Sequence, residues 1–92
     1  MGEVTVIVPV LLRPYTDGAS QLTAEGETLG DVFRTLCERF PGLAARLYNE
    51  NGDFRSFLQV FVESDDIRTR LGMETPVSDG AQITILQALA GG

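Results

Sequence analysis

The sequence predicts an α+β domain, in which a mixed sheet of four to five strands is covered by one main helix. Runs of β-branched and alternating apolar residues are typical of short strands, and one stretch has clear helical periodicity. Gly, Pro and Asp mark the connections between these segments. The predicted order is β-β-α-β-(β)-β. We expect residues 1–92 to form one domain, with a flexible tail at residues 87–92.

The first strand is predicted over Val4–Leu12, which is rich in β-branched residues. One face of this strand carries four valines: Val4, Val6, Val8 and Val10. Residues 13–20 have the composition of a turn. Gln21–Ala24 is then predicted to pair back on the first strand as a hairpin.

The main helix is predicted to begin after Thr28, whose side chain can cap the free amides at the helix N-terminus. The Asp31 side chain can reach back toward the helix start, in an aspartate version of the capping box. Its apolar residues are spaced along one face: Leu29, Val32, Phe33, Leu36, Cys37 and Phe40. Pro41 and Gly42 end this helix, and Leu43–Tyr48 is predicted to form one further helical turn.

The second half of the chain predicts the remaining strands. Leu58–Val62 alternates, with Phe61 on the face opposite to Leu58, Val60 and Val62. Ile67–Arg68 is expected to begin a short strand after a turn. A turn ending at Gly80 leads into the last strand, Ile83–Leu86, which continues directly into the C-terminal tail.

The composition narrows the class of function. A net charge of −6 disfavours nucleic acid and anionic membrane surfaces as partners. All seven basic residues are arginine, so the protein offers no side-chain amine for attachment of another protein. Neither a signal peptide nor a membrane-length apolar run is visible, and we expect a cytoplasmic protein that is monomeric when free.

The residues that commonly carry catalysis are sparse. The chain has no histidine and one cysteine, so a histidine base and the usual zinc and iron–sulfur ligand sets are excluded. Cys37 lies on the apolar helix face, where a buried and unreactive thiol is expected. Asp65 and Asp66 lie in a predicted turn and are interpreted as a solvated pair. No phosphate-binding loop is present, so we expect no cofactor on this chain.

The C-terminus is the remaining candidate for chemistry. Ala90, Gly91 and Gly92 close the chain directly after a predicted strand. Residues without a Cβ can thread a narrow channel, and six extended residues span about 20 Å. The terminal carboxylate is ionised and unreactive at neutral pH, so its use requires activation by a separate enzyme.

These segments together resemble the ubiquitin-like β-grasp sulfur carriers of the MoaD/ThiS group, over essentially the whole chain. Within that group, the chain is most similar to the CysO-type carriers of cysteine biosynthesis. The resemblance is carried by the following segments: Leu12–Gly18, Gly26–Gly30, Phe40–Leu43, Val60–Val62, Asp79–Gly80, Ile83–Leu86 and Ala90–Gly92.

The resemblance implies a role for Gly92 and for several partners. An adenylating enzyme of the MoeB/ThiF type would use ATP to activate the Gly92 carboxylate, and a sulfur donor would convert it to a thiocarboxylate. The sulfur would then pass to an acceptor enzyme. In CysO-type systems the acceptor is a PLP-dependent cysteine synthase, and a metalloprotease releases the product. In MoaD- and ThiS-type systems the product is molybdopterin or the thiamine thiazole.

A partner surface is predicted beside the tail. Ile7 and Phe61 fall on the sheet face away from the helix, and Leu86 and Leu89 lie near the tail root. Clustered exposed apolar residues with a polar rim are typical of interaction sites. We therefore expect these four residues to bind the enzymes that receive Gly92.

Two other functions remain open at this stage. The activated Gly92 could be joined to lysines of other proteins, as in the archaeal small modifier proteins. Alternatively, the domain could be a plain β-grasp interaction module whose tail is incidental. Genes for an acceptor enzyme beside this one would distinguish the pathways.

Overall fold

A computed structural model describes residues 2–87 of the chain. In that part the strands are β1 (Gly2–Ile7), β2 (Gln21–Gly26), β3 (Leu58–Val62), β4 (Asp65–Asp66) and β5 (Gln82–Gln87). The α-helices are α1 (Leu29–Arg39) and α2 (Pro41–Leu47). Short 3₁₀ helices occupy Val10–Tyr15, Ile67–Thr69 and Gly72–Glu74.

The five strands form one mixed sheet in the order β2-β1-β5-β3-β4. β1 and β2 make an antiparallel hairpin, whereas β1 and β5 run parallel. β3 pairs antiparallel with β5 on one side and with the two-residue β4 on the other. The last strand in the sequence is therefore the central strand of the sheet. This arrangement confirms the predicted mixed sheet with one main helix.

The core lies between the inner face of the sheet and α1. Alternate residues of the strands point inward, as predicted for β3, and the apolar stripe of α1 packs against them. The largest fully buried apolar side chains are Val4, Val6, Leu12, Leu29, Val32, Phe33, Leu36, Leu47, Val60 and Ile83. Burial of this apolar surface is the main favourable contribution to folding.

The predicted start of α1 is confirmed. The Thr28 hydroxyl accepts a hydrogen bond from the Asp31 N–H at 3.2 Å. The Asp31 carboxylate in turn accepts from the Glu27 N–H at 3.4 Å, one residue before the expected position. Both bonds satisfy amides that have no partner inside the helix. α1 ends at Arg39, just before Pro41, and Pro41 then begins α2.

The predicted first strand is too long. β1 ends at Ile7, and Val10–Tyr15 forms a 3₁₀ helix in place of a continued strand. Pro9 has no N–H to donate to a ladder, and its carbonyl accepts from the Leu12 N–H as the 3₁₀ helix begins. Val10, predicted on the same strand face as Val4, Val6 and Val8, is therefore 72% exposed, whereas those three are buried.

Two further predictions need correction. Ile67 and Arg68 belong to a 3₁₀ helix, because the Asp66 carboxylate accepts from the Arg68 N–H and so caps the turn. The short strand lies before them, at Asp65–Asp66, and pairs with the end of β3. The single turn predicted at residues 43–48 is replaced by α2, which starts at Pro41 and ends at Leu47.

The helices within residues 2–87 are short. None of them combines enough length with enough apolar character to cross a bilayer.

Candidate functional site

The root of the C-terminal tail is the end of β5. Leu86 and Gln87 pair with Gln59 and Leu58 of β3. On its other side, β5 is hydrogen-bonded to β1 as far as Thr84. The inward side chains of β5, Ile83 and Ile85, are buried, which anchors the strand in the core. The tail thus starts from the central and best-supported strand of the sheet.

The residues that carry the predicted chemistry lie outside the described part of the chain. These are Ala90, Gly91 and Gly92, and the predicted partner residue Leu89 lies there as well. The described residues that bear on the site are those around the tail root.

The structure brings three of the predicted partner residues onto one surface. Ile7 and Phe61 both pair in register with Thr84, so the three form one row across β1, β5 and β3. Leu86 follows on the same face of β5 and is 45% exposed. We call this surface, made of Ile7, Thr84, Phe61 and Leu86, the outer sheet face.

The sequence did not indicate that Thr84 and Gln59 contribute to the outer sheet face. Neighbouring side chains across a sheet lie about 4.5–5.5 Å apart, so Thr84 separates Ile7 from Phe61. Gln59 stands opposite Leu86. The alternation in each strand was visible in the sequence, but the register that places these residues side by side was not. The outer sheet face is an apolar patch interrupted by polar side chains, which is typical of protein-binding surfaces.

A groove of about 460 Å³ lies at the end of the sheet from which β5 runs into the tail. β1 and β5 are parallel, so the 3₁₀ helix that follows β1 lies at that end. The groove is lined by Leu11, Leu12, Pro14, Tyr15, Arg46, Arg55 and Phe57. The guanidinium carbon of Arg46 lies 4.7 Å from the centroid of the Tyr15 ring, within cation–π range. We call this feature the arginine groove; no local sequence pattern links its residues.

A larger groove of about 700 Å³ lies between β2 and α1, on the far side of β1 from the tail root. Across it, the Arg39 side chain donates to the Thr23 carbonyl at 3.1 Å and Thr35 donates to the Glu25 carbonyl at 3.4 Å. These bonds occupy carbonyls on the open edge of β2 and so limit edge-to-edge pairing there.

The surroundings of Cys37, Asp65 and Asp66 do not favour a catalytic role for these residues. Cys37 is half-buried, less than the burial predicted for it, and desolvation raises the pKa of its thiol. A raised pKa disfavours the nucleophilic thiolate. Asp65 and Asp66 do not act as a pair, because Asp65 contacts Arg70 at 2.9 Å and Asp66 contacts Arg68 at 2.8 Å. The Arg68 hydrogen bonds hold the pKa of Asp66 below its ordinary value.

Comparison with known proteins places this fold among the ubiquitin-like β-grasp proteins, as predicted. The chain is 38% identical to the sulfur carrier protein CysO of Mycobacterium tuberculosis over 92 residues, which cover 98% of this chain and 99% of that protein. The crystal structure of the Amycolatopsis orientalis BexX/CysO complex contains a chain that matches with a TM-score of 0.87 and 38% identity, covering 97% of this chain and 99% of that one.

The small archaeal modifier protein 1 of Methanosarcina acetivorans is also similar in structure. Its TM-score is 0.84 at 28% identity, and the match covers 100% of this chain and 98% of that one. Residues 6–92 match the ThiS family. Taken with the identity to CysO over nearly the full length, this match shows that the chain belongs to the ThiS family.

Proposed function

We propose that this protein is a sulfur carrier that bears the sulfur on the C-terminal carboxyl group of Gly92. The observation that carries the proposal is the near-full-length identity to a sulfur carrier protein, at 38% over 98% of this chain. The structure supports it through β5, the central strand, which leads straight to the tail that ends in Gly91 and Gly92. The domain provides a rigid support, and the tail reaches into other enzymes.

The proposed chemistry has two steps, both in the active site of an adenylating enzyme. A Gly92 carboxylate oxygen attacks the α-phosphorus of ATP, which releases pyrophosphate and forms an acyl-adenylate. Sulfide then attacks the carbonyl carbon, the bond to the AMP oxygen breaks, AMP leaves, and a thiocarboxylate remains. ATP is bound by the enzyme, and this chain supplies only the carboxyl group. Gly91 provides the clearance that a narrow channel requires.

The thiocarboxylate sulfur then passes to an acceptor enzyme. The similarity to CysO favours cysteine biosynthesis, in which the acceptor is a PLP-dependent cysteine synthase and a metalloprotease releases the product. The BexX/CysO complex supports a protein partner for this fold. The outer sheet face is the proposed docking surface for the enzymes that receive Gly92, since its exposed Leu86 lies at the tail root.

A direct test is the mass of the intact protein. The chain is incubated with ATP, sulfide and the adenylating enzyme from the same genome. We expect a mass increase equal to the replacement of one oxygen by sulfur. A chain ending at Ala90 should gain no sulfur, and Gly91→Val should slow the reaction about 100-fold, because a misplaced reacting group costs roughly that much. Unchanged mass, with an adenylating enzyme proven active on another carrier, would reject the proposal.

The second candidate is a conjugated modifier, favoured by the structural similarity to a small archaeal modifier protein. Activation of Gly92 is common to both functions, and they differ in what attacks the acyl group. Gly-Gly remnants on lysines of cellular proteins would support conjugation. Acceptor-dependent release of sulfur, with no such remnants, would support the carrier. A plain interaction module would keep its binding after removal of Gly91 and Gly92.

A further inference from the structure

The arginine groove adjoins the tail root. Phe57, one of its lining residues, directly precedes Leu58, which pairs with Gln87 at the end of β5. The far wall of the groove is the 3₁₀ helix Val10–Tyr15, which contributes Leu11 at 48% exposure. A protein that encloses the tail therefore meets this groove as well as the outer sheet face.

Two guanidinium groups in the groove are held in place by uncharged partners. Arg46 stacks on the Tyr15 ring. Arg55 donates from Nε and Nη2 to the Ala45 carbonyl, at 3.2 and 2.8 Å, near the C-terminal end of α2. These contacts orient the planar groups and leave their positive charge unneutralised, and Arg presented in this way is suited to bidentate binding of a carboxylate.

Three other arginines of the fold have their positive charge paired with a carboxylate. Arg34, Arg68 and Arg70 each form an ion pair with a carboxylate of this chain. Within residues 2–87, the other four arginines form no such ion pair, and of these only Arg46 and Arg55 line the arginine groove. On a chain of net charge −6, two unpaired positive charges thus lie together beside the tail root. The complementary ligand is an anion.

We propose that the arginine groove binds an acidic segment of the adenylating enzyme, with an apolar side chain between Tyr15 and Phe57 and a carboxylate on Arg46; this inference rests on the proposed function. A groove of about 460 Å³ falls in the size range of pockets that hold small ligands, so it has room for side chains of a short partner segment. Tyr and Arg are the residue types enriched at the energetic centres of protein interfaces.

The adenylating enzyme is the indicated partner because every fate of Gly92 begins with activation. The overall negative charge of this chain repels an acidic protein in most orientations. A local basic groove beside the tail root favours the one orientation that inserts the tail. Such complementarity determines orientation and specificity more than total affinity.

The test compares two variants of the full chain that change the net charge equally. Arg46→Gln removes the groove charge, and Arg34→Gln removes an exposed charge on α1 that faces the groove between β2 and α1. The probe is the adenylating enzyme from the same genome. We expect Arg46→Gln to raise the KM for the carrier about tenfold, with kcat unchanged, and Arg34→Gln to change it less than about twofold. Arg46→Glu should raise KM further.

Equal effects of Arg46→Gln and Arg34→Gln would overturn the groove assignment. So would a loss confined to kcat, since the groove is proposed to bind and not to react. Failure of the proposed sulfur-carrier function would give a different result, because the unmodified chain would then gain no sulfur. The groove assignment would be rejected with it. Unchanged melting temperatures of both variants confirm that folding is not the cause.

Discussion

Leu86 of β5 lies directly opposite Gln59 of β3, on the face of the sheet away from α1. Because its neighbour Ile85 is buried, Leu86 is directed outward and is 45% exposed. Leu86 is therefore the last outward-facing apolar side chain of the described residues before the tail. Packing in the core does not account for an apolar residue at this position.

We expect Leu86→Asp to raise the KM of the adenylating enzyme for this carrier at least about tenfold, because a charge would be desolvated at the interface. The measurement is the initial rate of thiocarboxylate formation against carrier concentration. Leu71→Asp is the matched control, since Leu71 is 66% exposed and lies outside the sheet. Equal effects of the two substitutions would contradict a docking role for the outer sheet face.

Gly26 is required by close packing and not by an unusual backbone angle. A Cβ at this position would lie 2.9 Å from the backbone nitrogen of Val32. We expect Gly26→Ala to reduce the free energy of unfolding by about 1–3 kcal/mol, as measured by urea denaturation. Gly42→Ala is the control, because its Cβ would meet Tyr15 at an ordinary 3.5 Å. It should be neutral or stabilising by up to about 1 kcal/mol.

The Thr28 hydroxyl caps α1, so its removal leaves the Asp31 N–H without that partner. We expect Thr28→Ala to reduce the free energy of unfolding by about 1 kcal/mol. Thr28→Ser keeps the hydroxyl and should retain most of the stability. If urea denaturation finds the two variants equally destabilised, the cap contributes through packing of the methyl group and not through the hydrogen bond.

Burial raises the pKa of the Cys37 thiol above its ordinary value of 9.0, and the pKa of Tyr48 is raised by burial and by the Cys37 charge. A group whose pKa is higher in the folded than in the unfolded protein contributes its full stabilisation at pH values below the unfolded-state pKa. This stabilisation is lost as the pH rises through the folded-state pKa. We therefore expect stability to fall above about pH 9, and the fall to be smaller in Cys37→Ala.

Alkylation of Cys37, followed by mass spectrometry, gives an independent check of the same shift. The pH at which the rate rises should be higher for the folded protein than for the urea-unfolded chain. Identical profiles would mean that the folded environment does not disfavour the thiolate.

The sequence by itself determined much of the local structure. Thr28 and the apolar spacing from Leu29 to Phe40 encode α1, because capping and helical periodicity act between residues close in the chain. The alternation in Leu58–Val62 likewise assigned the two faces of β3. Gly91 and Gly92 were predicted to carry the chemistry because the sequence has no histidine and only one cysteine.

Only the tertiary structure decided how these elements meet. The parallel pairing of β1 with β5 makes the last strand central, and its register aligns Ile7, Thr84 and Phe61 in one row. Such pairings join residues distant in the chain, and periodicity within a single strand carries no information about them. For the same reason the stacking of Arg46 on Tyr15 was not predictable.

Around Pro9, the local sequence predicts one structure and the tertiary structure shows another. The β-branched run Val4–Leu12 predicts one long strand. The Val8 N–H still donates to the Ser20 carbonyl, but Pro9 has no N–H to continue the ladder, so β1 ends at Ile7 and the chain turns into a 3₁₀ helix. That turn exposes Val10 and Leu11 and forms one wall of the arginine groove beside the tail root.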